Sequence, residues 1–557
     1  MSWEEDFRRN IERTRQRIME IAPDMLDLNA HRSSPDQPSF PIHASELGWK
    51  RPSSPCRPAI GPAGRASQLA PTINAATAPV SMLSCTGGVD TMPYEDEFKG
   101  SSVIGKLYFP AGAPSANVGL IVLCHGAFNP ADRTKGYEYV FESLAKCMAA
   151  HGIAVASIRP DPSKFGTIGA ADKAVRLHVD YLLGGSDKIA FLKLSGKPFA
   201  VGGHSAGAHG AVIAAEALSQ LGRVPAAVVA LAPTTAQAST PVSGIGKSLL
   251  VMQGSHDGDE PVGAASITMF ERMTSTERFF VWMHGANHAQ FLNHSVPLEK
   301  VGDPKVKPDP GTQLRIDSQH VIVSNYVTMF LLWKLAEKGA KEFGGVFHGR
   351  TIKWTHDDPK VQSQLSFSRI YTRYAPPLPM YFGNDAADWS AQHFLNPIMA
   401  SPLHLQHWTC FHQTTRGGLL TWDKSVHPAP SIMVSCTPGL GGIFTQASAM
   451  EFDCALVAKS SFNFPQEWPM HVMLSLQAGV KRSSVVVARV PHSIDIATSY
   501  AGVNLSRSIP ATVRIPIDAF DVDPAFMSGL TNVEIDFSHT RPRGQVLFTN
   551  PRVVLAG

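Results

Sequence analysis

Between residues 118 and 283 the chain repeats one pattern: an unbroken apolar run, then a longer stretch of helical period. The runs are Val118–Cys124, Ile153–Ile158, Phe199–Gly202, Ala227–Ala232, Ser248–Met252 and Phe279–Met283, with helical stretches at Gly136–His151, Ala170–Leu183 and Ala206–Leu221 between them. A strand with no polar face must be buried on both sides, and a chain that alternates such strands with amphipathic helices covers them above and below. The pattern therefore predicts an α/β unit built on a doubly wound, mostly parallel sheet. Val103–Phe109 adds a strand ahead of the repeat, and the helical stretch Arg315–Lys338 with Gly339 behind it closes the unit, placing it at 95–345.

The period changes after that helix. Met470–Gln477, Ser483–Val490, Ala511–Ile515, Asn532–Phe537 and Gln545–Val554 are short β-type runs separated by Pro, Gly, Ser, Asn and Asp, with no long helical pattern among them. Such spacing predicts an all-β sandwich over 346–557. Residues 1–94 form a third region. Trp3, Phe7, Ile11, Ile18 and Ile21 fall near one stripe of an amphipathic helix, and Ser33–Pro79 is rich in Pro, Ser, Ala and Gly without a period, as in a linker or surface wrap.

Composition narrows the function classes. With 44% hydrophobic and 17% charged residues and a net charge of +3, the chain is neither disordered nor basic enough for a nucleic-acid partner. No apolar run is long enough for a transmembrane segment, and Met1–Ile21 lacks the unbroken apolar core of a secretory signal. The 7 cysteines are scattered and free of C-x-x-C pairs, which reads as reduced thiols. A cytoplasmic location is the resulting expectation.

One constellation carries chemistry. Gly203-His204-Ser205-Ala206-Gly207 follows an apolar strand and precedes an Ala-rich helix, where a sharp turn with small neighbours lifts a serine above a sheet. A serine hydroxyl needs a base, and the base an orienting carboxylate. Asp257 lies in the loop after the run Ser248–Met252, with Asp259 and Glu260 as rivals; His288 lies in the loop after Phe279–Met283, with His284 as the more structural alternative. The chain order Ser, Asp, His fits a triad on such a sheet. Backbone N–H groups of Ala206 and of Ala127, beyond the His125-Gly126 turn, are the expected oxyanion donors, and Phe128 and His204 the expected substrate contacts.

The His-Gly turn at 125 and 126, Leu144-Ala145 followed by His151-Gly152-Ile153-Ala154-Val155, the G-H-S-A-G turn, the G-x-x-D loop at 254–257 and the G-A-N-H loop at 285–288 together resemble the α/β-hydrolase superfamily. The resemblance is nearest to the branch of dienelactone hydrolases, chlorophyllases, platelet-activating-factor acetylhydrolases and cutinase-like polyester hydrolases, and covers residues 95 to 340. It implies a serine esterase with Ser205 as nucleophile, Asp257 and His288 as its partners, and Ala127 and Ala206 at the oxyanion. It implies no cofactor, and a small-molecule or lipid-like ester as substrate. An amidase or thioesterase would use the same residues, and a binding protein on a hydrolase scaffold is the reading of a different class.

The final β-type runs resemble jelly-roll, carbohydrate-binding-like modules, for which Trp389, Trp408, Trp422 and Trp468 are either sugar platforms or core. His404, His407, Cys410 and His412 form a cluster with no familiar zinc spacing, and alternating strand faces would separate some of these side chains, so no metal is expected.

Overall fold

The computed structural model describes residues 72–73, 80–112, 117–126, 139–160, 168–184, 186–234, 247–257, 259, 266, 269–270, 277–283, 285–293, 307–308, 313–336, 341–347, 352–358, 361, 369–374, 378–379, 404–410, 415–423, 431–435, 445–456, 472–487, 498–500, 503–505, 511–536 and 543–555. Among the expectations above, the helix over Met1–Ile21 and residues Ala127, Phe128, Glu260, His284, Trp389, His412 and Trp468 lie outside them.

Among the described residues nine strands form the central sheet. In chain order they are β1 (Val89–Phe98), β2 (Ser101–Pro110), β3 (Gly119–Cys124), β4 (Ile153–Arg159), β5 (Phe199–His204), β6 (Ala227–Leu231), β7 (Ser248–Gly254), β8 (Glu277–Met283) and β9 (Arg369–Tyr374). Across the sheet the order is β1-β2-β4-β3-β5-β6-β7-β8-β9. Strands β4, β3, β5, β6, β7 and β8 run parallel. Antiparallel β2 and β1 finish one edge and antiparallel β9 the other.

The apolar runs are continuous because their two faces serve two cores. On β3, Leu120, Val122 and Cys124 join Val175, Val179, Ala208, Ala211 and Val212, which belong to α2 (Ile168–Leu183) and α3 (Ala206–Gln220). The intervening Ile121 and Leu123 join Leu144, Met148, Val323, Val327 and Phe330 of α1 (Glu142–Ala150) and α4 (Ile316–Leu335) on the opposite face. The alternation of side-chain direction along a strand thus survives inside a uniformly apolar sequence. Each buried Leu or Val removed from water in this way stabilises the fold by about 1.5–3 kcal/mol before the entropy of ordering is charged against it.

Two features extend past the pattern read from sequence. Strand β9 joins the sheet from 369–374, pairing with β8 from Glu277↔Tyr374 to Trp282↔Arg369. The cysteines also differ from the reduced state expected of them all: Cys85 and Cys147 form a disulfide, with Cα atoms 4.3 Å apart. The segment before β1 lies against the end of α1, where His151 Nε2–H donates to the Ser84 carbonyl at 3.0 Å, and this brings together two cysteines 62 residues apart. No local signal could announce such a pair. The bond removes the ground on which a reducing compartment was expected.

Farther along the chain, among the described residues, one sheet joins His404–Cys410, Thr415–Asp423, Arg543–Leu555, Ala447–Leu456 and Ala511–Pro516, with Leu378–Pro379 paired to Arg543–Leu555. A second joins Lys481–Val487, Val472–Ala478, Asn532–Asp536 and Ser431–Ser435, with Thr72–Ile73 at its edge; a third, smaller one joins Lys307–Pro308, Thr498–Tyr500 and Val503–Leu505. No helix among the described residues is long and apolar enough to cross a membrane.

Candidate active site

From β3 the chain returns to the sheet on one side as β4 and then crosses to the other side as β5. Loops leaving β3 and β5 therefore diverge, and the crevice at their carboxyl ends is where a sheet of this kind can hold a ligand. Ser205 follows β5 directly; His125 and Gly126 follow β3.

Ser205 has φ 57° and ψ −128°. This is a region that side-chain-bearing residues rarely occupy, so the conformation must be held from outside. Its N–H donates to the Leu231 carbonyl at 3.0 Å, and its own carbonyl accepts from the amides of Ala208 at 3.1 Å and His209 at 3.3 Å. Glycine is required on either side because β3 is so close: a Cβ on Gly203 would stand 2.2 Å from the Cys124 carbonyl oxygen, and one on Gly207 2.3 Å from the same atom. A Cβ on Gly126 would stand 2.6 Å from Ser205 Cβ and 3.1 Å from Oγ, so only glycine leaves the hydroxyl open on that side. Ala206 is the first residue of α3, where an N–H has no intrahelical acceptor and the helix dipole favours negative charge.

Asp257 and His288 meet across two loops that are stitched together. After β7, the amides of Ser255 and His256 donate to the carbonyls of Met283 (2.9 Å) and Ala286 (2.8 Å), and Ser255 Oγ accepts from Gly285 N at 2.8 Å. The junction brings His288 Nδ1 to 2.9 Å from Asp257 Oδ2. The carboxylate is fully buried, and it is satisfied: Oδ2 also accepts from Gln253 Nε2 at 2.8 Å, and Oδ1 from the Asp259 amide at 3.0 Å. A carboxylate that can only accept fixes the proton on Nδ1 and leaves Nε2 as the basic nitrogen.

Asp259, considered in sequence as a rival for the same role, takes the opposite side of the ring: its Oδ2 lies 3.3 Å from His288 Nε2. Burial pushes the Asp259 carboxyl above its ordinary range, Asp257 adds to the rise, and His288 opposes it. Among the described residues Ser205 Oγ makes no hydrogen bond to His288.

His204, an expected substrate contact, is buried beneath His288. Its Nε2–H donates to the His288 carbonyl at 2.9 Å, the two rings lie 4.6 Å apart by their centroids, and Phe291 is stacked against His204. Burial holds His204 well below the usual imidazole range, with His288 adding to the depression, so it braces the loop as a neutral ring. His125 is likewise held neutral: burial lowers it to about 4 although its Nδ1–H donates to the Gly126 carbonyl at 2.9 Å.

No protein-family model matches this chain, and no curated protein matches it.

Sequence reasoning missed the residues that support the pair. Gln319 of α4 clamps the loop through both of its ends, accepting from Asn287 N at 2.9 Å and donating to the Asn287 carbonyl at 2.8 Å. Gln253, the support of Asp257, accepts in turn from Ser266 Oγ. Both glutamines are fully buried. The available signal was a long polar side chain inside an otherwise apolar strand or helix, since a buried amide must find partners. Among the described residues no group of three or more His, Cys, Asp or Glu side chains is placed to hold a metal.

Proposed function

We propose that this chain is a serine hydrolase of the α/β-hydrolase type and that it cleaves carboxylic esters. The observation that carries the reading is the joint geometry of a serine held at φ 57° and an imidazole whose Nδ1 is fixed at 2.9 Å from a buried carboxylate. Strained backbone is stored where it serves a function, and an oriented imidazole at the same sheet edge is the group a serine nucleophile requires. The mostly parallel sheet, covered by helices on both faces, supports the fold reading.

In the proposed reaction Ser205 Oγ attacks the ester carbonyl carbon while His288 Nε2 takes its proton. The N–H of Ala206, aided by the dipole of α3, holds the oxyanion, with Ala127 as the second proposed donor. His288 then gives the proton to the departing alcohol, and water repeats the sequence on the acyl-enzyme, with Asp257 stabilising the imidazolium each time. Amides and thioesters would pass through the same groups, so parallel turnover of matched esters, thioesters and amides decides among them. For 346–557, apart from β9, we propose a jelly-roll-like β-sandwich; buried Met450, Phe452 and Ile515 on one sheet and Leu476, Val533 and Ile535 on the other support it. A carbohydrate is its proposed ligand.

The test is labelling by a fluorophosphonate in wild type and Ser205→Ala, with p-nitrophenyl acetate and butyrate hydrolysis followed alongside. Labelling and turnover that disappear together in the variant are expected. A wild-type protein that neither labels nor turns over substrate would return the chain to the binding-protein reading.

A further inference from the structure

The carboxylate of Asp259 has no place in the reaction just described, and it stands where that reaction needs room. His288 Nε2 must face first Ser205 Oγ and then the leaving-group oxygen; in the structure it faces Asp259 Oδ2 at 3.3 Å. The other oxygen, Asp259 Oδ1, is sealed from solvent and has no hydrogen-bond partner. Its neighbours of like and opposite charge are Asp257 and His288, and no lysine or arginine among the described residues pairs with it. A buried acceptor left without a donor is costly, by about 1–3 kcal/mol, and such groups call for an explanation.

We infer that Asp259 is a specificity-determining residue that selects esters whose alcohol portion carries a positive charge, such as a quaternary or protonated amine. The inference rests on the serine-hydrolase reading above. Nε2 protonates the leaving oxygen, so a carboxylate beside Nε2 borders the leaving alcohol, while the Ala206 amide takes the oxyanion. With no substrate present, Asp259 Oδ2 faces Nε2 on the side of the ring that Ser205 needs. A cationic alcohol group pairs with the Asp259 carboxylate and draws it away from Nε2, whose lone pair is then free to accept the serine proton. A neutral alcohol gives Asp259 no partner to turn to, and an anionic one is repelled. The raised Asp259 carboxyl fits a group that is costly to ionise until a cation arrives.

The experiment uses three phosphonate esters that are identical except for the leaving alcohol: choline, its uncharged carbon isostere 3,3-dimethylbutanol, and glycolate. Each reacts with the serine irreversibly, so the second-order rate constant of inactivation reports the leaving-group side directly. Wild type is expected to react with the choline ester about tenfold to a hundredfold faster than with the isostere, and slowest with the glycolate ester, as a single charge interaction in a partly buried site implies. In Asp259→Asn the choline and isostere rates should converge to within about threefold, and in Asp259→Lys the order should reverse. Equal rates for the three esters in wild type, or a uniform fall of all three in Asp259→Asn, would overturn the inference while leaving the hydrolase reading intact. Absence of any labelling in wild type by these esters and by the general fluorophosphonate would remove both.

Discussion

The strands that carry the site and the strands near the end of the chain are built on opposite rules. Every residue of β3, β5 and β7 is buried, whereas Asn532–Asp536 alternates between buried and half-buried positions, as does Val513–Pro516. A strand covered on both faces has no side chain to offer a ligand along its length, so groups that could react collect at its carboxyl end, where the proposed trio Ser205, Asp257 and His288 stands. A strand with one open face can display groups anywhere along it. The two regions should therefore respond differently to substitution, the first at the ends of its strands and the second along them.

The largest effect expected is at Asp257. Asp257→Asn keeps the shape of the site but allows the wrong imidazole tautomer, and kcat on p-nitrophenyl butyrate should fall about 10⁴-fold with the thermal midpoint little changed. Unchanged turnover would place the chemistry elsewhere and erase the contrast between the regions.

In the C-terminal sheets the corresponding test is the buried pair Arg514 Nη1–Glu451 Oε1, 2.9 Å apart with Glu451 almost wholly enclosed. Arg514→Met removes the guanidinium from a buried carboxylate and should cost up to about 3–5 kcal/mol in denaturant unfolding. Fluorophosphonate labelling of Ser205 should persist below the transition. Loss of labelling in the folded variant would show that the two regions work as one.

Gln253 sharpens the comparison, because it is the polar exception inside a buried strand. Gln253→Leu removes a donor from Asp257 and leaves Ser266 without its acceptor. A misplacement of this kind should lower kcat about 10- to 100-fold with little change in KM. An equal fall in stability with kcat intact would assign Gln253 to packing alone.

The smallest effect is in pH dependence. Burial lowers His178 to about 3, where its ring Nδ1 lies 2.6 Å from the Tyr94 hydroxyl in the core under β1 and β2. The unfolded chain binds a proton on this histidine near pH 6.5 and the folded protein does not, so its contribution is complete above about 6.5 and is lost as pH falls toward 3. Each such histidine should steepen the loss by up to about 1.4 kcal/mol per pH unit, measurable by urea titration between pH 4.5 and 7. Replacing His178 with Gln should flatten that slope if the ring is neutral in the folded state.

The site was legible in part because its serine is announced by local grammar: an apolar strand, glycines on both sides, a small-residue helix. Strand Phe199–Gly202, read from the run alone, is found as Phe199–His204, and the long helix read at Arg315–Lys338 is found as Ile316–Leu335. By contrast β9 and the sheets near the end of the chain contain strands that no run identified, among them His404–Cys410 and Ala447–Leu456. The partners of β9 and of Ala447–Leu456 come from distant segments, and strands with a single apolar face leave only a weak, interrupted pattern.

Hydrophobic period and glycine placement are local properties of the chain, so the sequence alone sets which segments must be buried on both faces and where a sharp turn must seat a serine. Only the tertiary structure decided that Asp257 takes Nδ1 of His288 and Asp259 takes Nε2, that Gln253 and Gln319 hold the two loops, and that Cys85 meets Cys147. Those choices turn on a few ångströms between groups far apart in sequence, and hydrogen bonds and disulfides tolerate no more than that.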